Sequence, residues 1–270
     1  MKNHFKVSVL GASGRMGSQI IKRINASSTM DLHSVVEHKG HNWIGQDCGE
    51  KLLGGKNNIL VTDDLSLALE SANVVIDFST PDTSLECLKI CTQNNTAHVI
   101  GTTGFDSRQE SKITGYAERV VVVKAGNMSL GINVLTSLVE RISSSLDIEF
   151  DIEIMEMHHR NKVDAPSGTA LMLGEAAAKG KGKSLAELRA AVREGISGSR
   201  EKGTIGFASL RGGGVIGEHE VSFTSDSERI SIKHEAFSRD IFVNGAIKAA
   251  LWSKEKKPGL YDMLNVLNLR

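Results

Sequence analysis

The sequence predicts an α/β protein, with a parallel sheet in its first domain and a second, α+β domain built on a mixed sheet. Three observations predict it. Short runs of Val and Ile alternate with helical stretches over the first half of the chain, and a glycine triplet follows the first of these runs. After Ser145 a strand appears whose residues alternate between apolar and acidic. Near-continuous β-branched strands separated by helices are the pattern of a parallel sheet covered on both faces, whereas an alternating strand has one wet face.

Val7-Ser8-Val9-Leu10 is the first strand, stopped by Gly11, and Met16, Ile20, Ile21 and Ile24 follow at helical spacing. Leu32 to Val36 is the second strand and ends at Glu37. A Gly- and Asn-containing stretch, read as loop, leads to a third strand, Ile59-Leu60-Val61, after which Asp63-Asp64 caps a helix through Leu69. Val74-Val75-Ile76 runs into Asp77-Phe78-Ser79-Thr80-Pro81, where a Pro just inside a Thr cap starts a helix that reaches Thr92. His98-Val99-Ile100, a helix capped by Asp106 and reaching Ala117, and Val120 to Val123 complete the alternation.

The pattern changes after Leu130. Val134, Leu135, Leu138, Val139 and Ile142 form one helical stripe, and Ile148, Phe150, Ile152 and Ile154 then alternate with Glu149, Asp151 and Glu153. Thr204 to Leu210, Glu218 to Phe223 and Arg229 to Lys233 are further strands with few helices among them. Lys179 to Arg211 is rich in Lys and Arg, with an amphipathic piece over Ser184 to Arg193, and reads as a solvated, flexible connection. The last helix, Asp240 through Trp252, is apolar enough to pack back on the first domain. The expected division is therefore 1–129 with 239–270 against 130–238.

Composition narrows the function classes. Lys plus Arg is 32 and Asp plus Glu is 32 in a chain of 270 residues, so the net basic field that nucleic-acid binding draws on is missing. No apolar run reaches the roughly 18 residues of a membrane span, and the N-terminal segment has no leader-like character, so a cytoplasmic protein is expected. Cys48, Cys87 and Cys91 have no CxxC spacing and read as reduced thiols, Cys87 and Cys91 lying on one buried helix face.

Gly11-Ala12-Ser13-Gly14-Arg15-Met16-Gly17 stands between a strand and a helix, where backbone N–H groups meet a pyrophosphate. Glu37 lies at the end of the next strand, positioned to accept hydrogen bonds from ribose hydroxyls. Together they predict a Rossmann-like dinucleotide site. His38 and Lys39 offer cations that suit a 2′-phosphate, so use of both NADPH and NADH is expected. Gly101-Thr102-Thr103 and Ala125-Gly126-Asn127-Met128 end two more strands of the same sheet and line the same crevice.

The densest titratable cluster runs from Glu156-Met157-His158-His159-Arg160-Asn161-Lys162 to Ser167-Gly168-Thr169, and a helix from Ala170 to Ala178 follows. Cations beside a helix N-terminus favour an anionic substrate, and a histidine near neutral pH can supply a proton. Adjacent histidines on a strand point to opposite faces, so no metal is expected here.

GASGRMG, DFSTP, GTTGF, NMSLGIN, EMHHRNKVDAPSGTA, RGGGVIGEH and GLYDML resemble the 4-hydroxy-tetrahydrodipicolinate reductase family over nearly the whole chain. The resemblance implies NADH- or NADPH-dependent reduction of a dicarboxylate in lysine biosynthesis, by a homotetramer assembled through the second domains. It implies that His158 is the proton donor and Lys162 a second donor. His159, Gly168 and Thr169 are then substrate contacts. Gly11, Ala12, Ser13, Gly14, Arg15 and Met16 with Glu37 and His38 hold the adenine side of the nucleotide, and Gly101 to Thr103 with Ala125 to Met128 lie near the nicotinamide. The chain departs from the family's usual pattern at His38, where Arg is frequent, and at Gly126, where Pro or Ala is frequent. The rival readings are another two-domain dehydrogenase of the aspartate pathway and a nucleotide-sensing module without turnover.

Overall fold

The computed structural model describes residues 5–270. In chain order, β1 (Phe5–Leu10), α1 (Arg15–Asn25), β2 (Met30–Val36), α2 (Cys48–Leu52), β3 (Val61–Thr62) and α3 (Leu65–Leu69) come first. They are followed by β4 (Val74–Asp77), α4 (Pro81–Asn94), β5 (Ala97–Ile100), α5 (Ser107–Ala117) and β6 (Val121–Lys124). Then come α6 (Leu130–Ser145), β7 (Asp151–His158), α7 (Gly168–Gly180), α8 (Leu185–Leu188), β8 (Ile205–Arg211), β9 (Glu218–Thr224) and β10 (Arg229–Glu235). The chain closes with α9 (Asp240–Ser253), β11 (Gly259–Tyr261) and α10 (Met263–Val266). Two compact units result, one reaching to Met128 and resuming over Asp240–Asn268, the other spanning Ser129–Arg239.

The first unit is built on a seven-stranded sheet in the order β11-β6-β5-β4-β1-β2-β3. All its pairings are parallel. The order runs outward in both directions from the β1/β4 pair, which creates the switch point where dinucleotides bind outside the strands' carboxyl ends. The Val and Ile strands read from the sequence are buried, Val7, Val9, Val74, Val75, Ile76, Val99 and Val122 all being at 0% exposure. One face carries α3, α4 and α5 over Leu10, Leu69, Leu88, Ile100, Ile113 and Val122, and α1 and α9 pack against strands of the same sheet. The fit of α9 depends on Gly245, where a Cβ would run into the Met128 carbonyl.

Three elements of this unit escape the sequence patterns, the short α10 among them. The stretch read as loop holds α2, nucleated by Asp47, whose carboxylate accepts from the backbone N–H groups of Gly49, Glu50, Asn57 and Asn58 at 2.8–3.2 Å. β11 adds to the edge at β6 although Gly-Leu-Tyr carries no β-branched residue.

The second unit has a four-stranded mixed sheet, β10-β9-β7-β8, in which only β7 and β8 run parallel. Ile152, Ile154, Ile205, Val221 and Phe223 face α6 and α7 across a core completed by Leu135, Val139 and Leu173. The two helices pack closely because α7 is rich in small residues: a Cβ at Gly180 would press on the Glu140 carbonyl, and Ser143 Oγ reaches the Ala177 carbonyl at 2.7 Å.

β7 begins at Asp151 and not at Ile148, because Asp147 turns the chain by accepting from the Glu149 N–H at 3.0 Å. The amphipathic piece expected over Ser184 to Arg193 shortens to α8. The basic segment is tied down and not a free connection. Arg200 donates to Asp151, Glu153 and the carbonyls of Ile152 and Thr204, and Arg193 pairs with Glu153 at 2.7 Å. Those two arginines are neutralised by β7 acids.

Candidate functional site

In the first unit the glycine loop is shaped for close backbone approach. Gly11 sits at φ +72°, a left-handed conformation that favours glycine, and a Cβ at Gly17 would collide with the Gly11 carbonyl. No side chain caps α1; the Gly14 N–H donates to the Gly11 carbonyl at 3.1 Å, and beyond it Arg15 is exposed and Met16 half-buried. Ala12 is fully buried beneath the turn.

Glu37, at the end of β2, accepts from Ser13 N–H at 2.6 Å and Ser13 Oγ at 2.7 Å, and its second oxygen accepts from His38 N–H. Burial favours the neutral carboxyl, but these donors outweigh it and hold the group below its ordinary value, hence ionised. The glycine cradle and an ionised carboxylate one strand over fit the phosphates and ribose of a dinucleotide. His38 is exposed, with its ring Nδ1 at 3.1 Å from the Lys39 carbonyl.

The two other loops are fixed from below by Asp77, which the sequence reading left without a role. Its Oδ1 accepts from Ser79 N–H, Ser79 Oγ and Thr102 Oγ1 at 2.9, 2.6 and 3.3 Å, while Oδ2 meets His98 Nε2 at 3.0 Å. The Thr102 hydroxyl is thus spent inside the protein, and Thr103 is the exposed member of that pair. Gly101 leaves room for the Phe78 ring, which a Cβ would strike. Ala125 is held by its N–H on the Ile100 carbonyl, Gly126 is exposed with open space above it, Asn127 is half-buried, and Met128 is a core side chain at 2% exposure.

In the second unit β7 presents Ile152, Ile154, Glu156 and His158 to the helix side. His158 Nδ1 lies 2.6 Å from Glu156 Oε2. Arg211, brought alongside by the β7–β8 register, donates to both Glu156 oxygens at 2.8 and 2.9 Å, and Ser167 N–H donates to Oε1 at 3.2 Å. Burial alone would raise the Glu156 carboxyl, yet Arg211 and His158 bring it down to about 2. The carboxylate is therefore ionised, Nδ1 of His158 donates to it, and Nε2 is the atom left to exchange a proton. Nε2 points to Gly217, where a Cβ would lie at 3.0 Å.

Burial pushes His158 below the ordinary histidine value, Glu156 opposes that, and the charges of Lys162 and Arg211 add to the fall. Lys162 Nζ is salt-bridged to Asp164 at 2.7 Å. His159 is half-buried and its Nδ1 has no hydrogen-bond partner. Ser167 caps α7 by accepting from Ala170 N–H at 3.1 Å, and its hydroxyl also meets His219 Nε2 at 3.1 Å. His219, stacked edge-on against His158 at 5.1 Å, is pushed by burial down to about 4. Gly168 opens the helix exposed, with nothing near the place of its missing Cβ, and Thr169 follows half-buried.

The structure thus gathers His158, Lys162 and the α7 N-terminus in one unit and adds Glu156, Arg211, Gly217 and His219. Glu156 carried a signal, since residues two apart on a strand share a face. Arg211 and His219 arrive through strand register and Gly217 just ahead of β9; the RGGGVIGEH motif holds all three but does not say what they meet.

Two family models match the chain: dihydrodipicolinate reductase, N-terminus, over residues 5–128, and dihydrodipicolinate reductase, C-terminus, over residues 131–267. A 4-hydroxy-tetrahydrodipicolinate reductase from Roseobacter denitrificans is 46% identical over 270 residues, covering 100% of this chain and 99% of the relative. One from Rhizobium rhizogenes is 49% identical over 265 residues, 98% of this chain and 97% of the relative. Among solved structures, a dipicolinate-bound dihydrodipicolinate reductase from Paenisporosarcina sp. TG-14 aligns with a TM-score of 0.74 at 25% identity, over 97% of this chain and 98% of that one. An amine dehydrogenase from Mycobacterium smegmatis, at a TM-score of 0.66 and 11% identity over 95% of this chain and 94% of that one, shares the fold.

Proposed function

We infer the function from one premise: the chain belongs to the dihydrodipicolinate reductase family. It reduces (2S,4S)-4-hydroxy-2,3,4,5-tetrahydrodipicolinate to (S)-2,3,4,5-tetrahydrodipicolinate, in the route through diaminopimelate to lysine. The substrate takes up one hydride and one proton and gives up its 4-hydroxyl as water. The reduced nicotinamide nucleotide supplies the hydride when bound.

The observation that carries the reading to residues is the buried Glu156–His158 pair at 2.6 Å. Glu156 holds His158 in the tautomer that leaves Nε2 for the substrate, and His158 gives its proton from that atom. A dianionic substrate opposes the burial and the Lys162 and Arg211 charges that hold His158 low, so the acid charges when it is needed. Gly168 and Thr169 receive one substrate carboxylate at the α7 N-terminus, and His159 and Lys162 neutralise the dianion, with Lys162 as second proton donor. No step calls for a metal. No cysteine serves as nucleophile either, since all three thiols are buried, which removes the case for a phosphorylating aldehyde dehydrogenase.

Gly11 to Met16, with Glu37 and His38, take the adenine side of the nucleotide; Gly101, Thr103 and the backbone of Thr102 and Ala125 to Met128 take the nicotinamide side. Glu37 suits the ribose hydroxyls of NADH and opposes a 2′-phosphate, while His38 and Lys39 offset that opposition, so both nucleotides serve. No helix among the described residues is long and apolar enough to cross a membrane. We read the enzyme as cytoplasmic, in keeping with its three free cysteines. We read it also as a homotetramer joined through the second unit, whose sheet exposes Met155 and Leu210 at 39% and 56%.

The test is nucleotide oxidation by purified protein given freshly made substrate, with NADH and NADPH in parallel. His158→Ala should lower kcat by about 10²-fold or more, the usual share of a general acid, and Lys162→Ala should harm both KM and kcat. Nucleotide binding without turnover would instead establish a sensor, and a thousandfold preference between nucleotides would end the dual-use reading.

A further inference from the structure

We propose that Cys87, Cys91 and His98 form a binding site for a thiophilic d10 cation, zinc(II) or copper(I), inside the first unit. Cys87 and Cys91 stand one turn apart on the buried face of α4, His98 lies on β5 beneath them, and all three are at 0% exposure. Their ligand atoms all lie within 4.8 Å of one another. The two sulfurs are 3.8 Å apart. Two thiolates at about 2.3 Å from a tetrahedral zinc are separated by about 3.8 Å, so the pair already has the spacing of a metal edge.

The histidine supplies the independent observation. His98 Nε2 is engaged by Asp77 Oδ2 at 3.0 Å, and its Nδ1 is buried with no hydrogen-bond partner among the described residues. A fully buried ring nitrogen without a partner is costly, and a cation between it and the thiols would satisfy it. The arrangement carboxylate, imidazole, cation is the one in which metal-bound histidines are held, with the carboxylate fixing tautomer and ring orientation. Two soft thiolates with one imidazole select zinc(II) or copper(I) over magnesium or calcium. Loading releases one proton from each thiol; two thiolates around zinc(II) make a core of no net charge, while around copper(I) they leave one negative charge, so burial favours zinc(II) of the two.

The site is one carboxylate removed from the loops assigned to the nucleotide. Asp77 Oδ1 accepts from Ser79 N–H, Ser79 Oγ and Thr102 Oγ1. Asp77 is held ionised, so His98 donates to it from Nε2, as a cation on Nδ1 requires. Metal retention does not rest on the nucleotide reading above.

The experiment takes the full chain freed of metal by chelation. It is exposed to Zn²⁺, or to Cu⁺ under anaerobic reductant, and then separated from excess. Elemental analysis should find about one cation per chain, accompanied by thiolate-to-metal charge-transfer absorption for copper. Cys87→Ala and Cys91→Ala should retain it roughly tenfold more weakly or worse. Cys48→Ala, a buried thiol outside the cluster, should be unchanged, and thermal melts establish that each variant is folded. Retention of one cation and not the other identifies which of the two the site takes. Failure of the folded wild-type chain to retain either, or equal retention by both cluster variants, would overturn the proposal.

Discussion

Glu156 and His158 stand two residues apart on β7, and that spacing alone puts both side chains on the strand's inner face. The groups that face His158 are Glu156, Lys162, Arg211 and His219, and of these only Glu156 raises its pKa. Glu156→Gln keeps the shape and removes that support. With His158 as the proposed acid, the descending alkaline limb of kcat/KM should move to lower pH by about one unit. An unmoved limb would reduce Glu156 to a structural role. At Gly217 the added Cβ of Gly217→Ala meets Nε2 at 3.0 Å, so the ring must turn off its line. The expected result is a kcat lower by about 10-fold to 100-fold with nucleotide Kd unchanged, since misplacing a reacting group by a fraction of an ångström is felt in the chemical step. That His158, Lys162 and the α7 start lie together was legible because they fall within one short stretch. Arg211 and His219 were illegible as partners: they reach His158 and Glu156 only through the pairings His158↔Arg211 and Glu156↔His219, and register between strands so far apart in sequence is settled by the whole sheet.

At the scale of elements, long buried strands and capped helices were legible and short pieces were not. Thr80-Pro81 and Asp106 start α4 and α5 as read, because cap chemistry is local: Thr80 accepts from Thr83 N–H and Asp106 from Gln109 N–H. α2 has too few residues for a helical period, and it forms because Asp47 gathers four N–H donors. β11 exists because the β6 edge offers a ladder, a non-local cause. Two glycines inside helices separate the element-scale effects. Gly115 in α5 is exposed with open space at its Cβ, so Gly115→Ala should stabilise by roughly 0.5–1 kcal/mol through helix propensity alone. Gly245 in α9 abuts the Met128 carbonyl, so Gly245→Ala should destabilise by about 1–3 kcal/mol by forcing the helix away from the loop that follows β6. Thermal melts of the two variants should move in opposite directions; a rise for both would mean that α9 can shift without loss.

For the molecule as a whole, net charge at neutral pH is zero, so self-repulsion is small there and grows only as the carboxylates and histidines take up protons, while the buried groups set the pH at which stability is first lost. His219 sits at about 4 in the folded chain against an ordinary 6.5, with burial as the cause. A depressed folded pKa means that the unfolded chain takes up the proton first. This contribution is whole above pH 6.5 and is lost as pH falls toward 4. His158 is depressed in the same sense. Glu156, at about 2 against 4.5, acts in a lower window: its contribution is present above 4.5 and disappears as pH falls through about 2. That shift corresponds to about 3 kcal/mol. Glu37, Asp47 and Asp77, all held low by hydrogen bonds, add to the same lower window. Stability should therefore decline in two stages on acidification, first through the histidines of the second unit and then through the carboxylates of both. Urea unfolding followed from pH 8 to 2 tests this, with His219→Gln flattening the upper stage and Glu156→Gln the lower. A profile left unchanged by both substitutions would show that the buried network is not what acid breaks.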